Sequence, residues 1–233
     1  MINPDKVKTF WETRSAKLGK LPFESIVNLE ENINLLKLKT TLEKKRIMPL
    51  LPLTPQTELL DLGAGVGQWS FRFAPLVKRV IAVEYINSLV KIGRIEAKKR
   101  GLKNVKFINQ SAENYRTNKR FDIIFISGLF VYLNFLQAQQ LISNFSCLIK
   151  PQGFLLLRDG TSILNEAYYI NNQYSDVLDE YYSAYYRTRE QYISIFQHAG
   201  FILIQDDQMF EEGNLLNKFS ETRLRYYLFS RVN

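Results

Sequence analysis

The chain has 233 residues, a formal net charge of +8, and a composition that is 46% hydrophobic and 23% charged. This size and composition predict one globular domain, at most two, and exclude a disordered or fibrous protein. One cysteine, Cys147, and one histidine, His198, exclude a disulfide framework and any metal centre built on thiolates or imidazoles. We therefore expect no metal in the site.

The N-terminal segment is polar, which is not typical of a secretory signal. The longest apolar stretch, residues 123–133, is too short to span a bilayer and contains Ser127 and Gly128. We expect a cytoplasmic protein without a membrane span.

The positive charge is unevenly distributed. Residues 1–160 contain 25 basic and 13 acidic side chains, whereas residues 161–233 contain 6 and 10. The densest basic cluster follows position 90 on a segment with helical periodicity, which is typical of a solvated helix face. Because the excess lies away from the C-terminal region, the charge disfavours nucleic acid as a partner.

Residues 1–52 are expected to form a helical preface. Asn3 followed by Pro4 is typical of a helix start, and Asn28 with Glu31 predicts the start of a second helix that ends near Met48. The first helix carries one face at helical spacing, formed by Val7, Phe10, Trp11, Arg14 and Leu18.

From Glu58 onwards short apolar runs alternate with helical segments, which predicts an α/β fold with a mostly parallel sheet covered on both faces. The predicted strands are residues 58–62, 79–84, 105–109, 121–127 and 153–158, and the predicted helices between them are residues 67–76, 86–100 and 135–149.

A tyrosine-rich insertion follows the fifth predicted strand. Eight of the 13 tyrosines lie between Tyr168 and Tyr192. A helix over residues 189–199 is then expected, ended by Gly200, before two final strands at residues 201–206 and 224–232.

The turn after the first predicted strand contains three alternating glycines, at positions 63, 65 and 67, preceded by Asp61. Glycines at this place allow a tight turn and a close approach of the backbone to a ligand. Glu84 ends the next strand, where a carboxylate can accept both hydroxyls of a ribose. Together they indicate a nucleotide-type cofactor.

This arrangement resembles the class I S-adenosylmethionine-dependent methyltransferases. Further matches to that family are Phe121-Asp122-Ile123-Ile124 in the fourth strand, the Lys150-Pro151-Gln152-Gly153 turn, and Ala199-Gly200-Phe201. The resemblance implies a Rossmann-like, doubly wound, seven-stranded sheet of order 3-2-1-4-5-7-6 with the last strand antiparallel. It also implies one domain: a preface or lid (1–52), a cofactor-binding half (53–160), and an acceptor insertion with the last strands (161–233).

The resemblance further implies the cofactor-binding residues for S-adenosyl-L-methionine and its product S-adenosyl-L-homocysteine. The glycine turn would hold the methionine end, Glu84 the ribose, and the segment after the third strand the adenine, with Ser111 standing where the family usually has Asp. The implied set comprises Asp61, Gly63, Ala64, Gly65, Gly67, Glu84, Tyr85, Ser111, Ala112, Glu113 and Ser127. We add Trp11 and Arg14, on the hypothesis that the first helix is a lid whose arginine reaches a carboxylate; simple packing of this helix is the alternative.

Candidates for acceptor chemistry lie at the ends of the fourth and fifth strands. Asp159 is a candidate base and Tyr132 an orienting residue, whereas a turn carboxylate and core packing are the alternatives. Tyr186 and Arg187 are candidates for binding the substrate, with Arg187 suited to an acidic group.

The interpretation is a methyltransferase for a small-molecule acceptor, with oxygen of a sugar or biosynthetic intermediate as the favoured target, since tyrosines stack on rings. A protein N-terminal amine methyltransferase and a non-catalytic cofactor-binding module are the alternatives. The fourth-strand end lacks the Asn/Asp-Pro-Pro motif of base-amine methyltransferases, and no Pro-Cys nucleophile is present. The oligomeric state stays open.

Overall fold

The computed structural model describes residues 2–175 and 180–231. The strands are β1 (Glu58–Leu62), β2 (Arg79–Glu84), β3 (Val105–Asn109), β4 (Phe121–Ser127), β5 (Ile149–Ser162), β6 (Tyr168–Ser175), β7 (Glu180–Tyr186), β8 (Phe201–Gln208) and β9 (Thr222–Arg231). The helices are α1 (Pro4–Ala16), α2 (Ser25–Asn28), α3 (Ile33–Ile47), α4 (Gln68–Phe73), α5 (Asn87–Lys99), α6 (Phe135–Ser143), α7 (Phe145–Leu148) and α8 (Arg189–His198).

Seven strands form one sheet in the order β3-β2-β1-β4-β5-β9-β8. The first five run parallel, and β9 is antiparallel to both of its neighbours. This confirms the predicted order, because β8 and β9 are the sixth and seventh strands of the sheet. The tyrosine-rich insertion supplies the other two strands, β6 and β7, which pair as a separate antiparallel hairpin.

Neighbouring residues of the central strands pack in two different apolar clusters, one on each face of the sheet. Leu60 and Ile124 pack in one apolar cluster, whereas Leu59 and Phe125 pack in another on the opposite face. All four are fully buried. Burial on both faces explains why these strands are continuous apolar runs rather than alternating ones.

The start of the second long helix differs from the prediction. Asn28 does not cap it but is the last residue of α2, and Leu29 adopts a left-handed conformation with φ 52° that breaks the chain direction. The side chain of Asn32 instead accepts hydrogen bonds from the backbone of Asn34 and Leu35 at the start of α3. The predicted cap of α1 is confirmed, since Asn3 accepts from the backbone of Asp5 and Lys6.

Phe107 of β3 fixes the glycine turn against α5. A Cβ atom placed on Gly67 or on Gly93 would each come within 2.4 Å of Cζ of the Phe107 ring. The ring therefore occupies space that two missing side chains leave free.

Among the described residues, no helix is both long enough and apolar enough to cross a bilayer.

Candidate functional site

A cavity of about 340 Å³ opens at the carboxyl ends of β1, β2, β4 and β5. Helix α1 and the segment between β8 and β9 contribute to its walls. Because strand ends of neighbouring parallel strands share one edge of the sheet, side chains distant in sequence meet there. The sequence-predicted site residues that line it are Trp11, Asp61, Gly63, Ala64, Gly65, Glu84, Tyr85, Ser111, Ala112, Glu113, Ser127, Tyr132, Asp159 and Tyr186.

The glycine turn is built for close approach. Gly63, Gly65 and Gly67 have φ values of 72°, 55° and 86°, in the left-handed region that side chains other than glycine rarely adopt. A Cβ atom on Gly65 would lie 2.7 Å from the side chain of Val27. The backbone N–H groups of Gly63 and Ala64 both donate to the carbonyl of Val83 at 2.9 and 3.0 Å, which anchors the turn to β2.

Glu84 is held by the backbone on one side of its carboxylate. One oxygen accepts from the N–H of Gly65 at 2.9 Å and the other from the N–H of Ile86 at 2.8 Å. Burial raises the pKa of Glu84, while these hydrogen bonds oppose the rise. Since each carboxylate oxygen has a second lone pair, both can still accept a ligand hydroxyl.

Asp61 lies buried beneath the same turn. Its carboxylate accepts from the hydroxyl of Ser70 at 2.6 Å. Burial raises the pKa of Asp61 to about 7, and the hydrogen bond from Ser70 counteracts part of that rise. The residue thus joins the end of β1 to α4, the helix that follows the glycine turn.

Three tyrosines form a hydrogen-bonded chain at the other end of the cavity. The hydroxyl of Tyr182 lies 3.1 Å from that of Tyr132 and 3.3 Å from that of Tyr186. Trp11 packs edge-on against Tyr132, with 5.4 Å between the ring centroids. Burial raises the pKa of each of the three phenols, so the hydroxyls remain protonated at neutral pH.

Tyr182 is a cavity residue that sequence reasoning missed. It lies in β7 among six other tyrosines of the β6–β7 hairpin. The concentration of tyrosines was visible, but the side chain that faces inward depends on the pairing of the two strands. A strand alternation assigned within residues 180–186 could have singled it out.

Asp159 is fully buried at the end of the sheet. Its two oxygens accept from the backbone N–H groups of Phe130 at 2.7 Å and Gly160 at 2.8 Å. Burial raises the pKa of Asp159 to about 7, and these hydrogen bonds and the nearby Arg187 oppose the rise. The carboxylate therefore orders the loop after β4, and it also borders the cavity.

Three predicted residues do not line the cavity: Arg14, Gly67 and Arg187. The buried guanidinium of Arg14 binds Glu31 and the carbonyl of Ser25, both at 2.9 Å, so the geometry does not bring it to a cofactor carboxylate. Gly67 begins α4 and packs against Phe107.

The buried guanidinium of Arg187 likewise faces the protein rather than an acidic ligand. It donates to the carbonyls of Phe130 at 2.7 Å and Leu133 at 3.0 Å. The ring of Tyr185 covers the guanidinium, with 4.4 Å between the guanidinium carbon and the ring centroid. Arg187 therefore holds the loop that carries Tyr132.

The cavity has a charged wall that the sequence did not single out. Lys39, Gln68 and Arg158 line it, and Lys218 lines it from the segment before β9. Arg158 had a visible signal, because it ends a predicted strand directly before Asp159. Lys39 had none, since a lysine on an amphipathic helix is indistinguishable in sequence from a solvated one.

Comparisons with known proteins agree with this geometry. A family model described as a methyltransferase domain matches residues 53–214. Phosphoethanolamine N-methyltransferase 3 of Arabidopsis thaliana is 27% identical over 160 residues, which cover 67% of this chain and 30% of that protein. The chain therefore spans about a third of the length of this curated relative.

Solved structures show the same fold. Phosphoethanolamine N-methyltransferase 1 of Haemonchus contortus, in complex with phosphoethanolamine and S-adenosylhomocysteine, superposes with a TM-score of 0.74 at 18% identity. The match covers 98% of this chain and 49% of that one. The N-methyltransferase NodS of Bradyrhizobium japonicum, in complex with S-adenosylhomocysteine, gives 0.64 at 14% identity, covering 96% and 99%.

Proposed function

Because the chain belongs to the class I S-adenosylmethionine-dependent methyltransferases, we propose that it methylates a small molecule, at an amine nitrogen. The residues present fit the cofactor: a glycine turn that a Cβ atom would block, and a buried glutamate with free lone pairs at the end of β2. When bound, S-adenosylmethionine supplies an electrophilic methyl group. The protein must then orient the acceptor and exclude water.

The observation that carries the choice of acceptor is the cluster of aromatic rings at one end of the cavity. Trp11, Tyr132, Tyr182 and Tyr186 line this end, and the buried Asp159 borders it. Ring faces attract organic cations, and a carboxylate behind them adds to the attraction. An amine that enters as its ammonium form suits this environment better than a neutral alcohol does. The ammonium must lose a proton before its nitrogen attacks the methyl group, and Asp159, whose pKa burial raises to about 7, is the group at this end that can accept it.

Two further features agree with a small amine. The named activities of the Arabidopsis and Haemonchus relatives are N-methylations of a small molecule. Helix α1 and the β6–β7 hairpin cover the acceptor end: Phe10 packs against Tyr182 with 5.4 Å between ring centroids. Such a cover favours a small acceptor over a protein terminus. It also supports the proposal that residues 1–52 act as a lid and that residues 161–233 form the acceptor side with the last strands.

Methylation of a hydroxyl, the target favoured from sequence, is the second candidate. It is favoured by the carboxyl of Asp159, because burial raises its pKa to about 7 and so improves its match to a proton-accepting role. The three tyrosine hydroxyls could also bind the hydroxyls of a sugar.

A matched pair of acceptors separates the two candidates. We expect transfer of a labelled methyl group from S-adenosylmethionine to amino sugars or short amino alcohols, but not to the same molecules with a hydroxyl in place of the amine. Transfer to the hydroxyl partner alone would select the second candidate. No transfer to either, by protein that binds S-adenosylhomocysteine, would contradict both small-molecule assignments.

A further inference from the structure

We infer that Lys39, Gln68 and Arg158 form the subsite for the methionine carboxylate of the cofactor. This inference rests on the cofactor that the family uses and is independent of the acceptor proposed above. It replaces Arg14, the residue that the sequence had suggested for this carboxylate, whose guanidinium is held by Glu31 and Ser25.

The three side chains come from different elements and meet on one wall of the cavity. Arg158 ends the central part of β5 and donates to the hydroxyl of Ser127 at 2.9 Å, and it is also paired with Glu43 of α3. The ammonium of Lys39, one turn before Glu43, donates to the carbonyl of Asn28 at 2.9 Å. The side-chain amide of Asn28 in turn donates to Gln68 at 2.7 Å.

Positive charge exceeds negative charge on this wall. Lys218 pairs with Glu30, and Arg158 pairs with Glu43. Among the residues that the structure describes, the ammonium of Lys39 donates to a backbone carbonyl and has no carboxylate within ion-pair distance. Burial lowers the pKa of Lys39 to about 8, with Glu43 and Glu30 opposing the shift. A buried cation without its own counterion is stabilised by an anionic ligand.

The same wall contains hydrogen-bond donors that lack acceptors. Within residues 2–175 and 180–231, neither Nε2 of Gln68 nor Nε of Arg158 has a hydrogen-bond partner. Both side chains belong to residues that are only 7% exposed. Buried donors are rarely left unpaired in folded proteins, because the lost solvation costs free energy. Because both atoms are themselves covered, a ligand acceptor pairs with either one only after the side chain turns towards the cavity.

The position of the wall identifies which carboxylate it would take. Gln68 directly follows Gly67, the last glycine of the turn that holds the methionine end of the cofactor in this family. Ser127, which Arg158 binds, lies at the end of β4 beside that turn. A carboxylate bound beside this turn would therefore lie next to the wall that Lys39, Gln68 and Arg158 form.

The test compares two ligands that differ in the amino acid moiety. S-adenosylhomocysteine carries the carboxylate and ammonium, whereas 5′-methylthioadenosine shares its adenosine and thioether but lacks both groups. Calorimetry on the full chain should show that Lys39→Gln weakens the binding of S-adenosylhomocysteine at least tenfold. The affinity for 5′-methylthioadenosine should change less than twofold. The control is Lys45→Gln, because Lys45 is exposed on the same helix and does not line the cavity.

A second variant guards against misfolding. Glu43→Gln with Arg158→Gln removes the buried pair together, so that neither charge is left alone, and thermal unfolding verifies that it is folded. We expect this double variant, too, to bind S-adenosylhomocysteine more weakly while its affinity for 5′-methylthioadenosine stays nearly unchanged. Equal weakening of both ligands would show a merely structural role, and unchanged affinities for both would place the carboxylate elsewhere; either result overturns the inference. Binding of both ligands by the wild-type protein keeps the test separate from the identity of the acceptor.

Discussion

Asp159 and Arg187 hold the same residue from opposite sides. The carboxylate of Asp159 accepts from the N–H of Phe130 at 2.7 Å, and the guanidinium of Arg187 donates to the carbonyl of Phe130 at 2.7 Å. Both charged groups are buried. The loop that carries Tyr132 is therefore fixed by two opposite charges that act through one peptide segment rather than through a direct ion pair.

Removal of Arg187 should destabilise the protein more than loss of one ordinary hydrogen bond would. Arg187→Met leaves two buried carbonyls without their donor and removes one of the two arginines, Arg187 and Arg158, whose charge stabilises the Asp159 carboxylate. We expect the free energy of unfolding to fall by about 2–4 kcal/mol. Urea denaturation measures it.

A double-mutant cycle with Asp159→Asn completes that experiment. Because both side chains bind Phe130, the effects of the two changes should not add, and the coupling should exceed about 0.5 kcal/mol. Additive effects would show that Asp159 and Arg187 hold Phe130 independently of each other.

Glu84 should determine cofactor affinity. Glu84→Gln keeps the shape of the side chain but replaces one acceptor oxygen with a donor, which conflicts with the N–H groups of Gly65 and Ile86 and with ribose hydroxyls. We expect S-adenosylhomocysteine to bind at least about tenfold more weakly, equivalent to about 1.4 kcal/mol. Calorimetry gives the value, and Glu190→Gln, at an exposed position of α8, should leave it unchanged.

The stability of the protein should depend on pH through Asp61. Burial raises its pKa from 3.8 to about 7, so between these values the folded state holds a proton that the unfolded state has lost. The contribution is present in full below about pH 4 and disappears as the pH rises through 7. Asp61→Asn should therefore flatten the fall in the free energy of unfolding by about 1 kcal/mol per pH unit between pH 5 and 7.

Ser70→Ala provides a check on the cause of this shift. Its hydroxyl lowers the pKa of Asp61, so its removal should raise that pKa further and move the pH-dependent fall in stability upwards. An Asp61→Asn variant with the same pH profile as the wild type would refute the assignment.

Trp11 should matter more for the acceptor than for folding. Trp11→Ala removes a ring that covers Tyr132 and opens the cavity beneath α1 to water. We expect the KM for the acceptor to rise about tenfold, in line with the loss of one aromatic contact and some burial. Lys8→Ala, at an exposed position of the same helix, is the control; an equal KM in both variants would argue against α1 as a lid.

The sheet was predictable because its strands are buried on both faces and therefore read as continuous apolar runs, as in Ile123 to Ile126. The cofactor-binding residues were predicted from turn glycines and strand-end acids at fixed offsets, and Asp61, Gly63, Gly65 and Glu84 do line one cavity. Asn28 misled the prediction of α3, since Asn32 has the same capping chemistry four residues later and only the left-handed Leu29 decides between them.

The arginines show where sequence reasoning ends. Arg14 and Arg187 were assigned to ligands because a guanidinium suits a carboxylate, but backbone carbonyls are equally good acceptors and only the folded chain brings them near. Conversely, Lys39 faces the cavity although its helical surroundings indicate a solvated position. The partner of a long cation depends on tertiary packing, which local periodicity does not encode.

The ring of Phe107 makes three positions interdependent. Because it fills the space beside both Gly67 and Gly93, an alanine at either glycine requires a smaller side chain at position 107. A Cβ atom on Gly93 would also come within 2.9 Å of the carbonyl oxygen of Val66, so Phe107 and this carbonyl together fix the distance between the glycine turn and α5. A redesign of this turn must treat the three positions as a single steric unit.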